Sequence, residues 1–223
     1  MGDAVGRMLA PAVGIAISPM ALVATVLLLA TPRGRADGTA FAVGWTAALA
    51  AVPAVVVPLG SRLAAGTVAP DWSWWFELAV GGLLLLLGVR RWWDRPREGR
   101  VHGPPEWMRT VDRSTPARSA ALGATLLATD PKNPLLALAA AVAIGTGGAP
   151  ASGKAGAAAL LVLIGSLGTL LPLAVHLHGG DHAARRLDEW RAWAATHNAA
   201  VQPTLLLALG TSHVGAALSG LTA

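Results

Sequence analysis

The chain has 223 residues, of which 54% are hydrophobic and only 13% are charged. Soluble domains carry about 25% charged residues, so the composition excludes an ordinary soluble domain and indicates an integral membrane protein. The chain has no cysteine, which excludes disulfides and thiolate metal sites. Basic loops against an anionic leaflet account for the net charge of +5, and we expect no nucleic-acid partner.

Six apolar segments follow one another along the chain, each close to the ~20 residues that cross a bilayer. They lie at residues 8–30, 39–60, 72–93, 117–145, 155–177 and 200–222. Tryptophans bracket the third segment, where Trp75 and Trp92 would be ~26 Å apart in a helix and indole rings favour both interfaces. The sequence predicts an all-α integral membrane protein with six transmembrane helices.

The basic residues predict the orientation of these spans. Only Arg7, Arg62 and Lys154 of the 17 basic residues fall on the side that holds both termini, whereas thirteen fall on the other side and Lys132 lies within a span. The loops of membrane proteins that carry the excess of basic residues lie in the cytoplasm. We therefore expect a multi-pass plasma-membrane protein with both termini extracytoplasmic.

Two segments on the basic side are too polar to be transmembrane spans. Residues 94–116 are charged and rich in proline, which is typical of a linker, and they separate a first three-helix unit (1–93) from a second (117–223). Residues 181–197 place apolar and charged side chains on different helical faces. That pattern predicts an amphipathic helix at the inner leaflet.

The two units resemble each other. The segments "AISPMALVATVLLLATPRG" (16–34) and "ATDPKNPLLALAAAVAIGTGG" (128–148) each have a small polar or acidic residue, then a proline, then an apolar run. Because each unit has three spans, the second copy must be upside down relative to the first. This predicts two inverted three-helix repeats, the plan of many secondary transporters.

The same two segments predict broken helices near the bilayer midplane. Ser18-Pro19 and Asp130-Pro131 both carry the residues favoured at a helix N-cap and first position, and a residue before proline avoids the α region. The first and fourth spans would therefore be broken by proline. In inverted repeats, the two internal helix N-termini would point toward each other and form an anion site.

Lys132, one of two lysines in the chain, would add a full positive charge to that site. The predicted substrate-binding residues are Ser18, Pro19, Asp130, Pro131, Lys132 and Asn133. The alternative is that the prolines only kink the helices while Asp130 and Lys132 neutralise each other.

Three further residues stand out. Arg33 is a candidate for binding a lipid headgroup, and the alternative is that it only determines the orientation of the spans. His213, within the last span, is a candidate gating residue, and the alternative is a neutral histidine that is hydrogen-bonded to a neighbour. Glu77 lies about one turn inside the outer interface, where we expect it to snorkel toward water.

The segments 17–45 and 129–144 resemble the actinobacterial GAP/Sap proteins, the peptidoglycolipid- or sulfolipid-addressing proteins, which are similar to the lysine-exporter superfamily. The positions that match are Ser18, Pro19, Pro32, Arg33, Gly34, Asp130, Pro131, Lys132 and Asn133. Pro134 departs from the pattern, where an apolar residue is more usual. The resemblance implies a protein that helps move glycolipids or another envelope metabolite outward.

No H-E-x-x-H, G-x-S-x-G or Walker A motif is present, so we expect neither an enzyme nor a cofactor or metal site. The favoured function is gradient-driven export of an anionic or amphipathic cell-envelope molecule of the glycolipid type. The alternatives are an amino-acid-type exporter and a non-transporting scaffold for lipid assembly. Expected partners are membrane lipids, with lipid-synthesis or export machinery and a homodimer left open.

Overall fold

The computed structural model describes residues 2–64, 70–93 and 114–222, and every regular element in these ranges is helical. The helices are α1 (Gly2–Ala16), α2 (Pro19–Leu29), α3 (Gly34–Leu63), α4 (Asp71–Trp93), α5 (Pro116–Thr129), α6 (Lys132–Thr146), α7 (Ala151–Gly165), α8 (Leu167–His178) and α9 (Ala183–Leu221), with a 3-10 turn at Gly180–His182. The all-α membrane class predicted from the sequence is confirmed at this level.

Within the described residues, three helices are long and apolar enough to cross a bilayer by themselves: α3, α4 and residues 200–221 of α9. Two bent pairs, α1 with α2 and α7 with α8, raise the number to as many as five. The predicted fourth span corresponds to α5 and α6, of which α6 is apolar but only 15 residues long.

The first predicted break is present. The chain leaves α1 after Ala16 and enters α2 at Pro19 with a bend of 49°. Ser18 is extended, with φ −110° and ψ 102°, as expected for a residue before proline, whose ring disfavours the α conformation there.

The second predicted break is also present. Helix α5 ends at Thr129 and α6 begins at Lys132. Asp130 is extended, with φ −81° and ψ 104°, for the same reason as Ser18.

A third break, between α7 and α8, was not predicted. The two helices meet at Ser166 with a bend of 60°, although the proline of this segment, Pro172, lies inside α8. Two side chains of α3 hold the bend: the Trp45 indole donates to the backbone carbonyl of Gly165 (3.4 Å), and the Thr46 hydroxyl donates to the side-chain hydroxyl of Ser166 (3.1 Å).

The C-terminal region is more continuous than predicted. The amphipathic segment 181–197 and the last span do not form separate helices, since α9 runs unbroken for 39 residues with Pro203 inside it. Most of the predicted linker, residues 94–113, lies outside the described residues.

Helix α6 forms the centre of the bundle, with most of its side chains buried, and α1 and α3 pack against it. The backbones of helices α3 and α5 are in direct contact. A methyl group added at Gly44 would collide with the carbonyl of Ala120, and one added at Gly123 would collide with the carbonyl of Phe41. This packing brings the two breaks together inside the bundle.

Candidate functional site

Lys132 joins the two broken helices. Its ammonium, at the start of α6, donates to the carbonyl oxygens of Gly14 (2.9 Å) and Ile17 (3.3 Å) at the end of α1. It also donates to Oδ1 of Asn133 (3.0 Å) and lies 4.0 Å from Oδ2 of Asp130. Lys132 is 2% exposed, so these oxygens replace its hydration shell.

The chemistry around Lys132 differs from the expected one. Its neighbours are acceptors, and Gly14 and Ile17 supply carbonyls that a helix C-terminus leaves without intrahelical partners. An ammonium has three hydrogens, and three hydrogen-bond acceptors already take them. Lys132 therefore neutralises the negative end of α1; it does not sit free between two helix N-termini, as the sequence suggested.

Around Lys132, three buried polar atoms have no hydrogen-bond partner among the described residues: Oγ of Ser18, Oδ2 of Asp130 and Nδ2 of Asn133. Ser18 is 3% exposed, Asp130 8% and Asn133 0%. Natural proteins pair nearly all such atoms, and exceptions point to a bound water, an ion or a functional role. These atoms supply a hydroxyl, a carboxylate oxygen and an amide N–H, a set that suits a neutral or zwitterionic polar group.

The two prolines of the predicted site set the backbone and offer no polar side-chain atom. Pro19 is the first residue of α2 and half-buried, and Pro131 precedes α6 and is exposed. Beside Ser18 and Pro19 lies a cavity of about 80 Å³, which Gly168, Trp193 and Val201 also line. The first break therefore opens onto a space large enough for a small polar group.

A much larger apolar groove runs between α3 and α7. Its volume is about 830 Å³, and it extends along α3 from Thr46 to Ser61, a distance of ~22 Å. Prolines and small or branched apolar side chains line most of it, among them Pro53, Val57, Ala155, Ala158 and Val162. Because Ala155 is exposed, the groove opens at the side of the bundle.

Polar groups stand at one end of this groove. Nζ of Lys154, on α7, donates to the Gly145 carbonyl (2.6 Å) and the Ser61 hydroxyl (2.9 Å), and that hydroxyl donates to the same carbonyl (3.0 Å). Gly145 lies in the last turn of α6, where carbonyls lack intrahelical partners. The groove therefore combines an apolar trough with a terminal ammonium.

A third buried cluster links α1, α4 and α9. Glu77 binds Nη2 of Arg7 through Oε2 (2.7 Å) and Nδ1 of His213 through Oε1 (3.3 Å), and the Arg7 guanidinium lies 4.7 Å from the Trp74 ring centroid. Glu77 is 8% exposed, so the expectation that it snorkels is wrong. The other headgroup candidate, Arg33, is exposed at the start of α3, away from these contacts.

Sequence reasoning missed the groove, its lysine and the Glu77 cluster. It used Lys154 only as one of the charges that predict the orientation of the spans. One available signal was that both lysines of an arginine-rich chain lie in or next to apolar segments.

Comparisons with known proteins identify the family of this chain. Neither the curated proteins nor the solved structures gave a match. Residues 8–219 match the family described as "Sap, sulfolipid-1-addressing protein". Because the match covers nearly the whole chain, the protein belongs to the sulfolipid-1-addressing protein (Sap) family.

Proposed function

We propose that this protein is a membrane transporter that helps to export an amphipathic cell-envelope lipid, of the glycolipid type, across the plasma membrane. The observation that carries the proposal is the apolar groove between α3 and α7, with a volume of about 830 Å³. The family description, which names a sulfolipid, supports a lipid as cargo. The proposed role includes no chemical step.

The dimensions of the groove suit an acyl chain. Its ~22 Å length along α3 exceeds half of a hydrocarbon core of ~30 Å, so one chain could follow it past the midplane. Exposed Ala54, Pro58 and Ala159 form its rim. A lipid could therefore enter sideways from the bilayer, without passing through a closed pore.

The proposal includes six spans arranged as two inverted repeats, with α5 and α6 as the broken fourth span. The packing is consistent with this arrangement: α3 packs on α5 and α6, and its counterpart, α7 with α8, packs on α1 and α2. Similarly, α4 and α9 pack chiefly on each other, and α2–α9 contacts have a counterpart in α4–α6 contacts. With the basic loops in the cytoplasm, both termini are extracytoplasmic.

The unpaired atoms of Ser18, Asp130 and Asn133 have a role in this proposal. A headgroup that crosses the bilayer loses its water, and buried polar groups must find partners. These atoms would supply partners for the uncharged hydroxyl groups of a glycolipid headgroup at the level of the breaks, and Lys132 would hold the two breaks next to each other. A gradient or a partner protein would drive the cycle.

One observation favours a second candidate, a small-solute exporter of the amino-acid type. The 80 Å³ cavity beside Ser18 and Pro19 has room for a small polar group but not for a lipid. Similarity to lysine exporters would fit this candidate and remains a prediction. A scaffold for lipid assembly, the third expectation, would need neither the groove nor the cavity.

A deletion strain tests these functions, complemented with the wild type or with Ala155→Trp, which fills the groove. Its matched control is Ala208→Trp, at an exposed small residue of α9 outside the groove. We expect Ala155→Trp to abolish surface display of one lipid class while Ala208→Trp restores it, at equal membrane abundance. Full display with Ala155→Trp would refute lipid transport through the groove, and loss of a secreted amino acid alone would favour the second candidate.

Asp130→Asn separates transport from scaffolding, because it removes the carboxylate charge with little change in shape. We expect it to reduce lipid display at normal membrane abundance. If display stays intact, the breaks take no part in carrying lipid and the scaffold becomes the better hypothesis.

A further inference from the structure

The geometry points to Lys154 as the binding site for the headgroup of an anionic lipid, at the end of the groove between α3 and α7, with an acyl chain along the groove. This inference rests on the proposed function, since it takes the groove to hold a lipid. It adds the residue that binds the headgroup and the end of the groove at which the headgroup lies.

Lys154 has more hydrogen-bond donors than it has acceptors among the described residues. Its ammonium has three hydrogens, and the protein acceptors are the Gly145 carbonyl and the Ser61 hydroxyl. As far as the described residues show, one hydrogen is left for a ligand, whereas Lys132 has three acceptors for its three hydrogens. Lys154 is half-buried beside the groove, so a headgroup can reach it.

Lys154 also differs from the other cations of the bundle core in how its charge is balanced. The other ammonium and the guanidinium within the bundle core have carboxylate partners, Asp130 for Lys132 and Glu77 for Arg7. In the part of the chain that the structure describes, no carboxylate forms a salt bridge with Lys154. An incoming anion would therefore meet an uncompensated charge, and a charge-assisted hydrogen bond to it is about twice as strong as a neutral one.

An anionic lipid fits the groove better than a second copy of the chain does. A second copy of the chain could also use the alanines of α7, since small residues favour helix packing in membranes. A helix of this chain would bring mainly apolar side chains and leave the ammonium unpaired. A lipid with a sulfate or phosphate headgroup matches both parts, the apolar trough and the terminal cation.

The test uses two probes that differ by one sulfate group: sulfatide and galactosylceramide. Native mass spectrometry of the full-length protein in dodecyl maltoside measures the apparent Kd of each. We expect sulfatide to bind about ten- to a hundredfold more tightly, the range expected for a hydrogen bond to a charged group. Inorganic sulfate alone should not compete with it at millimolar concentration.

Lys154→Met should remove this preference and leave galactosylceramide binding unchanged, while Lys154→Arg should retain most of it. Arg62→Met is the matched control, because Arg62 is an exposed cation next to Ser61 that does not line the groove. An unchanged sulfatide preference in Lys154→Met, or an equal loss in Arg62→Met, would overturn the inference.

The outcomes also separate this inference from the proposed function. If both probes bind equally and Ala155→Trp blocks both, the groove holds a lipid and the assignment of Lys154 fails. If neither probe binds, or if Ala155→Trp converts a dimer into a monomer, the groove is not a lipid site and the proposed function fails with it.

Discussion

The ammonium of Lys132 lies 2.9 Å from the carbonyl oxygen of Gly14, 118 positions earlier in the chain. This bond ties the start of α6 to the end of α1. Lys154 makes the equivalent bond to Gly145 at the end of α6. The two lysines of the chain thus both neutralise helix C-termini, and they differ in whether a hydrogen remains for a ligand.

Replacing Lys132 with methionine should strongly destabilise the bundle. The change leaves the carbonyls of Gly14 and Ile17 and the carboxylate of Asp130 buried without their cation. Breaking a buried ion pair in this way costs about 3–5 kcal/mol. For a chain of this size we expect a Tm lower by about 10 °C, measured by tryptophan fluorescence in detergent at a fixed scan rate.

The double variant Lys132→Met/Asp130→Asn should recover part of that loss, because it no longer buries an unpaired carboxylate. Arg62→Met, at an exposed position, serves as the control and should change Tm by no more than about 2 °C. A Tm of Lys132→Met equal to that of the control would show that the ammonium does not hold the breaks together.

The contact between α3 and α5 predicts a second stability effect. Gly44→Ala places a methyl group against the carbonyl of Ala120, and overpacking of this kind costs about 1–3 kcal/mol. Gly82→Ala is the matched control, since a methyl group there meets nothing within 4 Å. We expect a lower Tm for Gly44→Ala only; equal values would mean that the two backbones are not in contact.

Local rules explain why the first two breaks could be predicted. Ser18-Pro19 and Asp130-Pro131 each combine a proline, whose ring disfavours the α conformation of the preceding residue, with a polar residue that is favoured at a helix N-cap. The proline alone does not make a break, since Pro53, Pro58 and Pro203 lie inside helices. The bend at Ser166 has no such local cause, since it depends on Trp45 and Thr46, 120 positions away. Sequence reading therefore found the proline breaks and missed the one that tertiary contacts make.

The candidate site was predictable only in part, for a related reason. The burial of Asp130, Lys132 and Asn133 followed from three polar residues inside an apolar segment. Two of the three acceptors of Lys132 are the backbone carbonyls of Gly14 and Ile17 at the end of α1. Every residue has such a carbonyl, so the sequence does not show which ones bind the lysine. The groove could not be predicted from the sequence either. It forms only where α3 and α7 meet, and the residues that line it have the same composition as residues that face lipid.

The Glu77 cluster predicts a third stability effect. Arg7→Met leaves Glu77 with His213 as its remaining partner, and we expect a loss at or below the lower end of about 3–5 kcal/mol, since the side chain of Arg7 is 18% exposed. In a double-mutant cycle with Glu77→Gln, the coupling energy should reach about 1 kcal/mol or more. Asp71→Asn, an exposed acid on the same helix, is the control, and strict additivity of Arg7→Met and Glu77→Gln would contradict the pairing.

The proposed orientation can be tested directly, because the chain has no cysteine and single cysteines therefore report without background. With six spans and extracytoplasmic termini, Gly6→Cys, Asp71→Cys and Thr222→Cys should react with a membrane-impermeant maleimide in intact cells. Ala36→Cys should react only after permeabilisation, because it lies beside Arg33 and Arg35 on the basic side. All four positions are exposed, so lack of reaction cannot be ascribed to burial in the bundle. Labelling of Gly6 and Thr222 on opposite sides would require an odd number of spans, which two inverted three-helix repeats cannot give.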